Sequence, residues 1–369
     1  MSVVKTLFWG SLGALAWTHV GYPLAAAAIA RVRPRPVEED PSYEPDVTVI
    51  VAAFNEETVI ERRLENLLAL DYPEEKLSIV VASDASTDRT HELVEAVAAR
   101  EPRVRLLACP RGGKVAAQNR AVRETDDDIV AFSDANAAWA PDALRRLVAD
   151  LADPEVAYVC GRLRLETAGG SNQEGLYWCY ELWLREQESR CGSVTGGNGS
   201  IYALKRGDYV EVDPRYGHDL VFPYLMVQRG RRAVYEPLAL ASEKPTPTNE
   251  TEYRRKVRMF EHCWLITLQG SMLRRLPPGY LAEVVSHRVL RYGSGVLHLV
   301  LLGTSIALAV EGWPYQTALA GQVALIVAAV AGQPVARYYA LVSWATVQAL
   351  ANYVRRGVPA TWEAAEGTR

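Results

Sequence analysis

Apolar runs alternate with amphipathic stretches between residues 47 and 134, and the alternation predicts a β-α repeat. Val47–Phe54 is apolar at almost every position, the pattern of a strand buried on both faces. Ile60, Leu64, Leu67 and Leu68 then recur at helical spacing behind an opening Asn55-Glu56-Glu57. Leu77–Ala82 predicts a second strand, followed by a helix that turns Leu93, Val94 and Val97 inward. Val104–Leu107 predicts a third strand and Gly112-Gly113-Lys114 the start of the next helix. Ile129–Phe132 is a fourth strand that closes in Ser133-Asp134-Ala135-Asn136. Strands separated by helices imply an α/β fold with a mostly parallel sheet and right-handed crossovers.

The two ends of the chain carry a different pattern. Residues 6–30 bear no formal charge, a stretch long enough to cross about 30 Å of hydrocarbon. The run outlasts a typical signal core, and Arg31, Arg33 and Arg35 follow at once, where they resist translocation. An uncleaved transmembrane anchor over residues 1–31, rather than a cleaved signal peptide, is therefore expected, with the polar block after it in the cytoplasm. Residues 292–310 and 315–334 also lack charge, and 338–354 form a weaker run, which predicts two or three further spans within 286–355. With two, the last segment is a surface helix, and Arg355 and Arg356 stay on the cytoplasmic side. The expected division is a linker at 32–45, a catalytic block at 46–248, interfacial helices at 249–285 and a tail at 356–369, in a multi-pass protein of the inner cell membrane.

Composition narrows the chemistry. The 369 residues hold 40 Lys or Arg against 44 Asp or Glu, a formal charge of -4 that offers no footing for nucleic acid. The five Cys (Cys109, Cys160, Cys179, Cys191, Cys263) are scattered without metal spacing, which suits buried thiols in a reducing compartment. No GxGxxG or Walker spacing occurs, against a dinucleotide enzyme or a P-loop ATPase. Instead four strands end in polar residues at one edge: Asn55-Glu56, Asp84, Gly113-Lys114 and Asp134-Asn136. Such convergence at the carboxyl edge of a parallel sheet predicts a nucleotide site. If the backbone stays extended, Asp134 and Asn136 leave one face and reach one cation or one diphosphate; the alternative is an Asx turn that ends the strand.

Val-Ile-Val-Ala-Ala-Phe-Asn-Glu-Glu (49–57), Ser-Asp-Ala-Ser-Thr-Asp (83–88), Gly-Gly-Lys-Val-Ala-Ala-Gln-Asn-Arg-Ala (112–121) and Ser-Asp-Ala-Asn (133–136) carry a resemblance. In this order and spacing they resemble the family 2 glycosyltransferases, in particular the membrane-bound, cellulose-synthase-like branch that builds surface polysaccharides, over residues 47 to about 290. The resemblance implies a cytoplasmic sugar-nucleotide transferase domain of the A-type fold flanked by transmembrane helices. It implies donor contacts at Ala53, Asn55, Glu56, Asp84, Lys114 and Asp134, with Asp84 near the base and ribose and Lys114 near the diphosphate. Mg2+ or Mn2+ is expected at Asp134 and Asn136. Here Asn136 stands where many members have a second Asp, so the site has one negative charge fewer.

The second half of the block supplies the acceptor side. Glu174–Trp183 reads as a helix whose Tyr177, Trp178, Tyr180 and Trp183 stack on sugar rings or pack between helices. Thr195-Gly-Gly-Asn-Gly-Ser-Ile-Tyr-Ala203 resembles the family's Gly-rich segment, or is a tight turn into a strand. In His218-Asp219 the resemblance gives Asp219 the role of catalytic base, with His218 replacing the first acid of the family's pair. Arg255, Arg258 and Met259 fall on the family's Gln, Arg and Trp. Arg254 and Arg258 share a helix face, for a diphosphate or for anionic lipid. The expected protein is an inverting transferase that moves a sugar, from a UDP-sugar, to a glycan or lipid-linked acceptor. The alternatives are a polyprenyl-phosphate glycosyltransferase and a catalytically silent sugar-nucleotide-binding subunit of an export complex. The C-terminal spans hold few polar side chains to line a sugar channel, which predicts one or a few sugars per acceptor and export by a partner or flippase.

Overall fold

The computed structural model describes residues 2–165, 173–244 and 249–359. Helix α1 (Val3–Ala16) runs through a π turn at Trp17–Gly21 into α2 (Tyr22–Val32), one continuous helical segment. The α/β block follows in order: β1 (Val47–Ala53), α3 (Ile60–Leu68), β2 (Leu77–Asp84), α4 (Thr90–Ala98), β3 (Val104–Cys109), α5 (Lys114–Arg123) and β4 (Ile129–Asp134). β1 pairs in parallel with both β2 and β4, and β2 with β3, as the alternating pattern predicts.

The chain then departs from a simple repeat. After β5 (Ala138–Trp139) and α6 (Ala143–Leu151) come β6 (Val156–Leu165), α7 (Gln173–Cys191), β7 (Ile201–Lys205), α8 (His218–Gln228) and β8 (Arg232–Glu243). β7 inserts antiparallel between β4 and β6, while β8 runs parallel to β6, giving one sheet in the order β3-β2-β1-β4-β7-β6-β8-β5. The register sets Ala52 of β1 beside Asp134 and Ala53 beside Ser83, so the first strands end level at one edge. Ile60, Leu64 and Leu67 of α3 are fully buried against one face of the sheet, each contributing about 1.5–3 kcal/mol of apolar transfer. Val115, Ala117 and Ala121 of α5 pack on the other with Phe132 and Tyr202.

One local expectation is corrected and one open alternative is decided. Asn55-Glu56-Glu57 does not open α3, which starts at Ile60. Asn55 instead adopts φ 56°, and its side-chain oxygen accepts the Thr87 amide at 2.8 Å. The Asn55, Glu56 and Glu57 amides donate in turn to Ser86, Thr90 and Asp88, fastening this turn to the β2–α4 loop. Asn tolerates that left-handed backbone better than most residues. Nor does the chain stay extended past Asp134: β4 ends there and residues 135–136 turn, with the Ala137 amide donating to the Asp134 carbonyl at 3.3 Å.

The remaining helices are α9 (Asn249–Gln269), α10 (Pro278–Val284), a π turn at Val285–Val289, the short α11 (Leu290–Tyr292), α12 (Ser294–Leu308), α13 (Trp313–Val330) and α14 (Pro334–Arg356). Among the described residues three helical segments are long and apolar enough to cross a membrane: Val3–Val32, Ser294–Glu311 and Trp313–Val330. α1 packs along α12, and a Lys5–Glu311 ion pair of 2.5 Å joins their far ends. α14 packs chiefly against α9, through Ala345 and Ala349 against Val257, Phe260 and Trp264. At its end Arg356 pairs with Glu261 of α9 at 2.9 Å. Residues 360–369, most of the expected tail, lie outside the described residues.

The N-terminal helix meets the rest of the chain in a buried polar hub. Glu188 of α7 accepts from the Tyr22 hydroxyl at 2.8 Å and the Thr195 amide at 3.1 Å, and its carboxylate meets His287 Nδ1 at 2.6 Å. Arg288 Nε donates to Thr195 Oγ1 at 2.9 Å. Thr195 begins the Gly-rich loop 195–199, so the N-terminal helix, the π turn at Val285–Val289 and this loop share one set of hydrogen bonds.

Candidate active site

Three functional side chains from three elements gather around Gly199. Lys114 opens α5 and pairs with Asp134, the last residue of β4. Asp219 sits in the first turn of α8, half-buried, where the free amides of a helix start favour a carboxylate. A methyl group at Gly199 would lie 3.6 Å from Lys114 Nζ and 3.7 Å from Asp219 Cγ, so the bare glycine leaves the space between cation and carboxylate open. The neighbouring Gly197 is required for a different reason. Its amide donates to the Asp219 carbonyl at 2.7 Å, and a methyl group there would stand 1.9 Å from the Tyr158 hydroxyl.

The electrostatics separate the roles. Burial works against the Lys114 cation, but Asp134 beside it prevails and holds the ammonium above its ordinary pKa. Burial pushes the Asp219 carboxyl up; Lys114 opposes the shift and Asp134 adds to it. Asp219 is thus a stronger base than an exposed carboxylate. His218 takes no part in this chemistry. It turns inward, its ring nitrogens 3.0 Å from the Tyr202 hydroxyl and 3.4 Å from that of Tyr209, and burial lowers its pKa to about 3. His218 packs edge-on against Phe132 and Phe222, so it props α8 rather than replacing an acid.

Glu243 is the residue the sequence reading missed. It ends β8, its Oε1 is buried with no hydrogen-bond partner among the described residues, and burial together with Asp134 raises its pKa to about 7 against the Ser200 hydroxyl. Ser200 Oγ stands 3.4 Å from Asp134 Oδ2 in the same place. Asp134, Glu243 and the Ser200 hydroxyl are hard oxygen donors, and an orphaned carboxylate oxygen beside a second carboxylate suits a divalent cation. Arg63 was also missed. It is 2 % exposed, donates from Nη2 to Ser133 Oγ at 2.8 Å and lies 5.1 Å from the Trp139 ring. Burial lowers its pKa to about 9 against the pull of Asp134 and Glu243, placing a cation behind the acids. Its signal was an Arg on the apolar face of α3, between Ile60 and Leu67.

The other expected residues fall as follows. Asp84, 3 % exposed, accepts the Gly112 amide at 2.6 Å, the Gly113 amide at 3.0 Å and Arg111 Nη1 at 2.6 Å. It thereby shapes the turn in which Gly113 takes φ 92° and delivers Lys114. Arg111 also lies over the Phe54 ring at 3.4 Å. Ala53 is buried at the end of β1, with Asn55 and Glu56 in the turn beyond it. Asn136 is half-buried in the turn after β4. Arg255 pairs with Glu252 at 2.8 Å and lies near enough to Glu243 to lower its pKa. Arg258 lies one turn further along α9. It lines a cavity of about 800 Å³ between α9 and α14 with Arg254, Glu261, Asn352 and Arg356, a lining that includes none of Lys114, Asp134, Asp219 or Glu243.

Residues 48–208, which contain β1 through β7 and the Lys114–Asp134 pair, match the profile of glycosyl transferase family 2. These residues form a family 2 glycosyltransferase domain. A β-monoglucosyldiacylglycerol synthase from Synechocystis is 34 % identical over 228 residues, 57 % of this chain and 47 % of that protein. An N-acetylglucosaminyltransferase from Rhizobium meliloti is 28 % identical over 308 residues, 76 % of this chain and 71 % of that protein. The chain thus spans about half the length of the Synechocystis relative. The solved structure of the mannosyltransferase PcManGT from Pyrobaculum calidifontis, in complex with GDP-Man and Mn2+, superposes with a TM-score of 0.73 at 26 % identity. That likeness covers 96 % of this chain and 99 % of the other, so it takes in the helices outside the family 2 domain as well. The domain has the A-type glycosyltransferase fold, as the sequence motifs imply.

Proposed function

We propose that the chain is a membrane-bound, divalent-metal-dependent inverting glycosyltransferase that moves a sugar from a nucleotide sugar to a glycan or lipid-linked acceptor. The meeting of Lys114, Asp134 and Asp219 at the open space of Gly199 carries this reading. Asp219 accepts the proton of the acceptor hydroxyl while that oxygen bonds to the anomeric carbon and the bond to the diphosphate breaks. The diphosphate leaves with its electron pair, and the Lys114 ammonium offsets the charge it gains. Asp134, Glu243 and the Ser200 hydroxyl are the residues that would hold Mg2+ or Mn2+; when bound, the ion neutralises the diphosphate as a Lewis acid. A silent binding subunit has no need of a base with raised pKa facing a cation, and this disfavours that alternative.

The donor and acceptor classes rest on similarity. The relatives are named for transfer of glucose or N-acetylglucosamine, and the mannosyltransferase was captured with GDP-Man and Mn2+. Both UDP- and GDP-sugars therefore belong in the test. Membrane insertion and a cytoplasmic site are supported by the three apolar helices and by Arg31, Arg33 and Arg35 after the first of them. Because nucleotide sugars do not cross bilayers, one experiment addresses orientation and activity together. Inverted vesicles carrying the protein are expected to consume a UDP- or GDP-sugar in the presence of Mg2+ or Mn2+, and sealed right-side-out vesicles are not. Consumption by right-side-out vesicles would reverse the topology, and absence of turnover even in detergent would remove the enzymatic reading.

A further inference from the structure

Away from the donor site, three carboxylates from three segments meet at the base of the catalytic domain. Glu39 belongs to the segment that leads from the anchor to β1, Asp150 to the last turn of α6, and Glu236 to the bulged middle of β8. One carboxylate oxygen of each lies within 4.8 Å of the other two. Two oxygens bound at about 2.4 Å to one Ca2+ stand at most about 4.8 Å apart, and the three pairs meet that limit.

Proximity of acids alone is common on surfaces; Asp150 makes this cluster different. It is 3 % exposed, and its carboxylate has no hydrogen-bond partner among the described residues. A buried carboxylate without a partner is unfavourable by several kcal/mol unless a proton or a cation neutralises it. The basic groups nearby act on the cluster without bonding to it, Arg232 on Asp150 and Arg146 on Glu236, and their own bonds go to other partners. Arg232 faces Asp153 at 3.5 Å and donates to the Arg35 carbonyl at 2.7 Å, and Arg146 donates to Asp142 at 2.6 Å. Without an ion, burial and the charges of Glu236 and Glu39 raise the Asp150 pKa to about 8. Glu39 is exposed, which leaves a path for an ion to enter and room for the water ligands a Ca2+ shell needs.

We propose that Glu39, Asp150 and Glu236 bind a divalent cation of the Ca2+ type that fastens the linker between anchor and catalytic domain. The linker already touches this region through the Asp40 amide on the Ala149 carbonyl at 3.1 Å and the Glu38 amide on Asp153 at 3.2 Å. An ion would add a third tie, joining linker, α6 and β8. The site is independent of the metal at Asp134 and does not rest on the proposed activity.

The test compares the full-length protein in detergent, stripped with EDTA, with a Glu39→Gln/Glu236→Gln variant. Equilibrium dialysis against Ca2+ reads how many ions each chain binds, and thermal melting reads their effect. Any metal at Asp134 counts equally in both, so only the difference matters. The variant is expected to bind one Ca2+ fewer, or to bind it at least about tenfold more weakly. In EDTA the variant is expected to melt no lower than the wild type, and Ca2+ to raise the melting temperature of the wild type alone. Equal Ca2+ stoichiometry and affinity in the two proteins, or no Ca2+ bound by either, would overturn the proposal.

Discussion

Replacing Asp219 with Asn is expected to slow sugar transfer by roughly 10²- to 10⁴-fold while leaving donor affinity nearly unchanged. The loss corresponds to about 3–5 kcal/mol of barrier. Asn keeps the size of the side chain and its place at the start of α8, but it cannot take a proton from the acceptor hydroxyl. Donor binding depends on Lys114 and Asp134, which the change does not touch. The wild-type rate is expected to fall as pH drops through the pKa of Asp219, which burial holds above the ordinary carboxylate value. Stability moves the other way. Because the folded state binds this proton more tightly than the unfolded chain, the contribution is present at low pH and lost as pH rises through the raised pKa. The neutral Asn variant should therefore melt above the wild type near neutral pH. Steady-state rates, donor calorimetry and a melting curve check the three parts, and turnover within tenfold of wild type would remove Asp219 from the mechanism.

Asp134→Ala is expected to act on binding instead. It removes the partner of Lys114 and one of the acids placed to hold the divalent ion, so metal-supported donor affinity should fall by roughly 10²-fold, about 3 kcal/mol. The residual affinity should be the same with Mn2+ and with EDTA. Calorimetry of UDP- and GDP-sugars under both conditions measures this. Undiminished affinity with Mn2+ present would refute the assignment of Asp134, and with it the place given to Glu243.

What the sequence shows and what it hides divide along sequence distance. β1 to β4 were legible because each buries both faces and so reads as an apolar run, and because each is followed by its own helix. Asp84 and Asp134 were legible because they end β2 and β4 at one edge, and Lys114 because it opens the helix after β3. The second half was not, because β7 lies antiparallel between β4 and β6, and β8 returns beside β6 after a helix; neither pairing leaves a local periodic mark. Glu243 joins Asp134 only through that return. Asp150 looks like one more polar residue on α6 until β8 and the linker close over it. His218 beside Asp219 suggested an acid pair, but burial with Tyr202 and Tyr209 decides its role, and no spacing rule reports burial. α14 was ambiguous from hydropathy, and its packing on α9 gives it a place beside the catalytic domain.

With Asp219 as the base, the sugar is expected to pass to the acceptor by direct displacement at the anomeric carbon, with no covalent sugar-enzyme bond. The configuration of the first product tests it most directly. With an α-linked donor such as a UDP- or GDP-hexose and a suitable acceptor, proton NMR of the initial product should show the β-anomer. An α-linked product, or a sugar covalently attached to the protein during turnover, would contradict the account.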